Sequence, residues 1–382
     1  MHVTGENIKV LYDHQAFAIQ KYGGISRCFV ELYKDMPTGV KPSISLYRSD
    51  NAYIKEIMNV HPKDTKIDRF LNSHEFKGKW YIQILLNRYR EHHKDKNVKH
   101  SIEMLKRGIF DIFHPTFFDD YFLPYLNGKP FVLTIHDMIP ELYPQYFRRE
   151  DPQIVMKQKL APMASAIIAV SENTKRDVVR ILGIPEEKVH VIYHGCSFPL
   201  PKDQTPPYRF PYILYVGGRG WFKNFLSFVK SAAPILKKYK DIKVLCIGKP
   251  FVNEETKLFE ELDLNGRFIR KYAETDEELS NLYHHAMCFV YPSEYEGFGI
   301  PILEAYQSDC PVLLRYSSCF PEIAKDSAIF FHHNDLAEKL EMMLSMNEED
   351  KTQLLYKQRV RLADFSWKRS AEQLAHIYQS II

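Results

Sequence analysis

Short apolar runs alternate with longer segments of helical period almost from end to end of the chain. In the first half, IKVLYD (8–13), SISLY (43–47), DIFH (111–114), FVLTI (131–135), AIIAV (166–170) and VHVIYH (189–194) predict strands. Between them, 24–37 and 173–182 predict helices. Strand and helix taking turns in this way is the pattern of parallel α/β units.

The alternation breaks once. GCSFPLPKDQTPPYRFP (195–211) has no periodicity and is crowded with proline, which removes backbone donors and stiffens the chain, so it predicts a linker. Strands then resume at YILYV (212–216), KVLCIG (243–248), FIRKY (268–272), MCFVY (287–291) and PVLL (311–314). The expected fold class is α/β, with two Rossmann-like, doubly wound domains facing each other across a cleft. Their boundaries fall at 1–203 and 204–365, followed by an amphipathic segment, SWKRSAEQLAHIYQSII (366–382). Such sheets bind ligands at the carboxyl ends of their strands, so chemistry is expected in the loops that follow them.

Composition agrees with this picture and narrows it. A chain of 382 residues is too long for one ordinary core, and 45% apolar with 26% charged residues is the balance of a folded, water-soluble protein. The net charge of +3 falls far short of a dedicated nucleic-acid binder but suits an anionic small ligand or an anionic membrane surface. The six cysteines show no CxxC pairing, which argues for reduced thiols and against a zinc site. No stretch approaches the roughly 20 apolar residues needed to span a bilayer, and MHVTGENIKVLYD lacks a signal-peptide layout, so a cytoplasmic setting is expected.

Three loops carry candidate chemistry. KYGGISR (21–27) follows the first strand, and Gly23 and Gly24 there can turn tightly and expose amides at a helix start, although a lone glycine pair is equally an ordinary βα loop. YVGGRGWFKNF (215–225) places Arg219 and Lys223 at a strand end, where two cations could straddle a diphosphate. A solvated loop is the plainer alternative. In EYEGFGIPILEAY (294–306), Glu296 lies in a glycine turn and Glu304 about one helical turn beyond Pro301. The Gly297–Ile300 amides are free to face a sugar or phosphate, and a carboxylate grips vicinal hydroxyls. On that motif alone, a helix cap with surface acids fits as well.

Taken together, the loops resemble family 4 of the retaining, nucleotide-sugar-dependent glycosyltransferases, which have the GT-B fold. YPSEYEGFGIPILEAYQSDCPVL is similar to that family's signature of two glutamates separated by seven residues. GGISR, TIHDMIPELYP, IIAVSENTKRDV, VIYHG, YVGGRGWFKN and FSWKRSAEQL support the likeness over nearly the whole chain. The resemblance implies that Glu304 binds the donor's ribose and Glu296 its sugar, beside the Gly297, Phe298, Gly299 and Ile300 amides. Arg219 and Lys223 would neutralise the diphosphate with help from Gly23 and Gly24, and the base would lie near Gly248–Pro250 and Tyr272–Ala273. His136 would reach the reaction centre, so the catalytic set is His136, Glu296, Arg219 and Lys223. On the acceptor side, His114 would line the pocket, and Asp137 would cap its loop or orient His136. The segment 366–382 resembles the terminal helix that crosses back onto the first domain.

The resemblance also implies hexose transfer to a glycan or lipid-linked saccharide in surface polysaccharide biosynthesis, with GDP-mannose favoured because HDMIP-type loops resemble those of mannosyltransferases. No metal and no cofactor besides the nucleotide-sugar substrate is expected, and no nucleic-acid partner. The pairs His284–His285 and His332–His333 lack metal-site spacing. The segment 76–100 mixes Trp80, Tyr81, Ile84 and Leu85 with a basic tail, which fits either peripheral contact at the inner membrane face or a helix with a solvated charged side. A nucleotide-sugar epimerase on the same scaffold and a noncatalytic sugar-nucleotide-binding protein stay open as alternatives.

Overall fold

The computed structural model describes residues 7–60, 96–203 and 205–382. Strands β1 (Ile8–Tyr12), β2 (Val40–Ile44), β3 (Ile112–His114), β4 (Val132–Ile135), β5 (Ala166–Ala169) and β6 (Val189–Val191) come from the first half. They form two three-stranded parallel sheets, ordered β2-β1-β3 and β4-β5-β6. A parallel bridge between Phe113 and Phe131 joins them edge to edge.

The second half supplies β7 (Tyr212–Val216), β8 (Lys243–Ile247), β9 (Phe268–Lys271), β10 (Cys288–Tyr291), β11 (Val312–Arg315) and β12 (Ile329–Phe331). These make one six-stranded sheet in the order β12-β11-β10-β7-β8-β9, parallel throughout. Its inner strands are apolar through their centres because both faces are covered. Along β7, Tyr212 and Leu214 enter one core cluster while Ile213 and Tyr215 enter the opposite one. The strand order reverses between β7 and β10, and the crevice at such a reversal is where open α/β sheets take ligands.

Two strands differ from expectation. β2 spans VKPSI rather than SISLY; Pro42 is tolerated because β2 lies at a sheet edge. β12, a three-residue edge strand, carries too short a run to stand out.

The terminal helix Trp367–Ser380 buries Trp367, Ala371, Leu374 and Tyr378 against Val10, Tyr12 and Phe29 of the first half. Gly195 passes beneath its start, where a Cβ would lie 2.2 Å from the Trp367 amide nitrogen. Only glycine fits there.

Among the described residues, no helix is long and apolar enough to cross a membrane. Of the basic segment 76–100, residues 76–95 lie outside the described residues, and 96–100 are helical in a run that continues to 107.

Candidate functional site

The loops after β7 and β10 meet at the strand reversal. Gly299 takes a left-handed φ of +90° and opens the helix Ile300–Gln307, with Pro301 in its first turn. The chain thereby turns sharply from β10 into the helix and leaves Glu296 in the bend. A short 3-10 turn, Trp221–Lys223, ends on Lys223, whose ammonium donates to Glu296 Oε1 at 2.6 Å. The Glu294 amide donates to the Phe222 carbonyl at 2.7 Å, stitching the two loops together. Behind them, Glu296 is held through its own backbone: its amide donates to Ser318 Oγ at 3.1 Å and its carbonyl accepts from the Cys319 thiol at 3.2 Å.

From the first domain, three loops close on this turn. The Gly297 carbonyl accepts from the Ser171 hydroxyl at 2.6 Å and the Thr174 hydroxyl at 3.3 Å. A Cβ on Gly297 would fall 1.7 Å from the His136 carbonyl oxygen, so the two backbones touch. A Cβ on Gly24 would lie 3.4 Å from Ile300 Cδ1. Gly23 forms the N-cap of the helix Gly24–Lys34.

His136 follows β4 directly and stacks on His194, with ring centroids 6.0 Å apart. Burial lowers its pKa to about 4, so the imidazole is neutral near pH 7. Its Nε2 is buried without a partner, a condition that buried polar atoms rarely keep unless something else supplies the bond. Asp137 Oδ1 accepts from the Ile139 amide at 3.0 Å, which caps the loop. Beneath it, the fully buried Lys157 donates to Glu141 Oε2 at 2.7 Å and to the Asp137 carbonyl at 3.1 Å. That buried cation fixes the segment carrying His136.

Glu304 projects from the helix Ile300–Gln307 toward the same seam. The Tyr283 hydroxyl donates to its Oε2 at 3.3 Å, and an Arg27 guanidinium nitrogen stands 3.8 Å from its Oε1. Burial raises the Glu304 pKa to about 7, with Arg27 opposing the rise.

Other expected residues are placed differently. The Arg219 side chain, expected to meet the diphosphate with Lys223, is engaged by groups of its own domain. Its Nε donates to Glu255 Oε1 at 2.9 Å and its Nη2 to the Lys249 and Pro250 carbonyls at 2.8 and 2.7 Å. It braces the loop after β8, and its Nη1 is buried without a partner. Gly248, in that loop, would push a Cβ to 2.8 Å from the Gly217 carbonyl oxygen. Tyr272 follows β9 directly and has an exposed ring.

His114 does not reach a pocket. It is fully buried, with Nδ1 2.7 Å from the Tyr378 hydroxyl and Nε2 2.8 Å from the Thr134 hydroxyl, so the expectation of an acceptor-side role is corrected. The terminal helix covers the strand end on which the expectation rested. The Phe298 ring packs on His194, 4.8 Å away, which leaves only its backbone available to a ligand.

Several residues of the seam carried no expected role: Arg27, Ser171, Thr174, His194 and Asp276. All but Asp276 fall inside the stretches that carry the family resemblance, but their partners are distant in sequence.

Among proteins of known family, a model described as "Glycosyl transferases group 1" matches residues 199–360, and one described as "Glycosyltransferase Family 4" matches residues 77–197. The chain is 27% identical over 216 residues to the O-antigen chain mannosyltransferase RfbU of Salmonella typhimurium, a match covering 56% of this chain and 59% of that one. It is 25% identical over 277 residues to the O-antigen chain mannosyltransferase B of Escherichia coli, covering 68% and 72% of the two chains. In fold it is similar to a glycosyltransferase from Rickettsia africae, with a TM-score of 0.67, 20% identity and 98% of each chain covered. Anabaena HepE, solved in complex with UDP and glucose, gives a TM-score of 0.69 at 14% identity, over 98% of this chain and 100% of that one. With both halves matched on either side of the linker and the sheets arranged as in the GT-B fold, the chain belongs to the group 1, family 4 glycosyltransferases.

Proposed function

We propose that the protein transfers a hexose, with retention of configuration, from a nucleotide-diphosphate sugar to a saccharide or lipid-linked acceptor in surface polysaccharide synthesis. GDP-mannose is the favoured donor, because the two O-antigen relatives carry mannosyltransferase names. The observation that carries the reading is the Lys223–Glu296 pair, set at the strand reversal, with the His136 backbone against the neighbouring Gly297 and the buried His136 Nε2 left without a partner.

In this reading Lys223 and the start of the helix Ile300–Gln307 meet the donor's diphosphate, aided by the Gly23–Gly24 loop. Glu296 then exchanges its lysine for the sugar's hydroxyls, and Glu304 takes the ribose. The base rests between the braced Gly248–Pro250 loop and Tyr272–Ala273. Neutral His136 offers Nε2 to a hydroxyl of the transferred sugar.

The bond between the anomeric carbon and the diphosphate breaks, and its electron pair leaves on the diphosphate oxygen. A bond to the acceptor oxygen forms on the same face, and the acceptor's proton passes to that diphosphate oxygen. Fixed positive charge at the departing group stabilises the transition state without a divalent ion, because it is already in place before the charge develops.

The test is acceptor-dependent nucleotide release with a panel of nucleotide sugars, after thermal-shift screening has found the donor that stabilises the protein. Lys223→Ala should lower kcat about 100- to 1000-fold while leaving the fold intact. No stabilisation by any nucleotide sugar overturns the reading, and an inverted anomeric configuration in the product overturns its stereochemical part.

A further inference from the structure

The Arg27 side chain joins parts of the molecule that no local motif connects. It belongs to the helix Gly24–Lys34 of the first domain and is only 8% exposed. Its Nη1 lies 3.2 Å from Asp276 Oδ2 and 3.8 Å from Glu304 Oε1, both in the second domain. Its Nε donates to the hydroxyl of Ser197, in the linker, at 3.3 Å. The guanidinium is centred 5.6 Å from the Tyr53 ring and 5.9 Å from that of Phe198.

We infer that Arg27 is a positioning residue for the donor: from the first domain it spans Asp276 and Glu304 of the second, and so aims the ribose-binding carboxylate only when the two domains are together. The inference rests on the proposed function, which gives Glu304 its ligand.

A buried guanidinium beside two acids offsets their mutual repulsion. Its short contact goes to Asp276, while 3.8 Å to Glu304 is longer than a hydrogen bond and leaves Oε1 open to a ribose hydroxyl. Parting the domains would remove the cation and leave Asp276 and Glu304 facing each other uncompensated. The carboxylate would then favour its neutral form, which accepts ribose hydroxyls less well.

The groups around Glu304 are known from each side. Arg27 and Tyr53 face it from the first domain, Asp276 and Tyr283 from the helix Asp276–His284, and Cys196 from the linker. Glu56 and Glu277 act on Asp276 in turn. Of these, Arg27 and Asp276 push the Glu304 proton in opposite directions, which gives the test its sign.

The experiment is titration of the full chain with GDP and, separately, with UDP from pH 5.5 to 8.5, for wild type, Arg27→Met, Arg27→Lys and Asp276→Asn. Wild-type affinity should strengthen as pH rises through about 7. Arg27→Met should move that midpoint up by about one unit and weaken binding about fivefold at pH 7. Arg27→Lys should keep the wild-type midpoint, and Asp276→Asn should move it down.

Opposite shifts from two substitutions at one contact are not produced by general damage to the fold. The inference is overturned if Arg27→Met and Asp276→Asn weaken binding equally at every pH with an unmoved midpoint. It is overturned together with the proposed function if the wild type binds neither these nucleotides nor any nucleotide sugar. Wild-type binding with unmoved midpoints in the variants removes only the role of Arg27.

Discussion

At the scale of single residues, Glu304 is costly to the empty protein. Its folded pKa of about 7 lies above the ordinary 4.5, so the folded state holds the proton more tightly than the unfolded chain. The stability this contributes is fully present below pH 4.5 and is lost as pH rises through 7. The loss is about 3 kcal/mol at most. Glu304→Gln, neutral at every pH, should therefore be more stable than wild type at pH 8, nearly equal to it at pH 5, and about tenfold weaker in donor binding. Thermal unfolding at the two pH values, with and without nucleotide, checks this; equal destabilisation at both contradicts it. The sequence made Glu304, Glu296 and Lys223 legible because they sit in one motif or in a glycine loop directly after a strand. Arg27 lies in its motif without a legible role, since its acidic partners, Asp276 and Glu304, lie in the other half of the chain. His114 and His136 both end strands and look alike in the sequence. Only the helix that arrives from the far end of the chain, bringing Tyr378, tells them apart.

At the scale of elements, two supports hold the first domain's loops in the seam. The helix Glu172–Leu182 starts at Ser171, whose hydroxyl caps it by accepting from the Thr174 amide at 3.0 Å. Glu322 of the second domain also sits on that helix end, accepting from the Glu172 and Asn173 amides at 2.6 and 3.0 Å. A carboxylate there is favoured by both the free amides and the helix dipole. The other support is the buried pair of Lys157 and Glu141. Lys157→Met strands the Glu141 charge and should lower stability by about 3 kcal/mol or more in urea unfolding. Adding Glu141→Met should restore most of it, since removing both charges also removes the penalty. If the double variant is no more stable than the single one, the pair is not what holds the loop. Most strands were legible because parallel strands covered on both faces give apolar runs, whereas of the longer helices only Gly24–Lys34, Glu172–Leu182 and the terminal one were read, and Phe225–Lys238 and Glu348–Leu362 were not. Pro42 hid the true position of β2, and β12 was hidden by its brevity.

At the scale of the whole molecule, the candidate site gains its first-domain residues only where the two domains touch. Gly297 is the tightest of those contacts, with no room for a Cβ against the His136 carbonyl. Gly297→Ala should hold the domains apart. Small-angle X-ray scattering should then give a larger radius of gyration, transfer should be lost, and the thermal midpoint should change little because each sheet keeps its own core. An unchanged radius with lost transfer would place the defect in the turn itself. The two-domain plan was readable from the proline-rich linker, but the seam was not, because each contact in it pairs residues from opposite halves. The terminal helix adds a consequence of its own. By packing Trp367 and Tyr378 against the first sheet, it returns the chain to the half where it began, so two tethers rather than one join the halves. A protease that nicks the exposed stretch near Lys202 should leave a particle that still migrates as one piece in its native state and falls into two bands only in detergent. A second thread narrows the ways in which the halves can turn about one another.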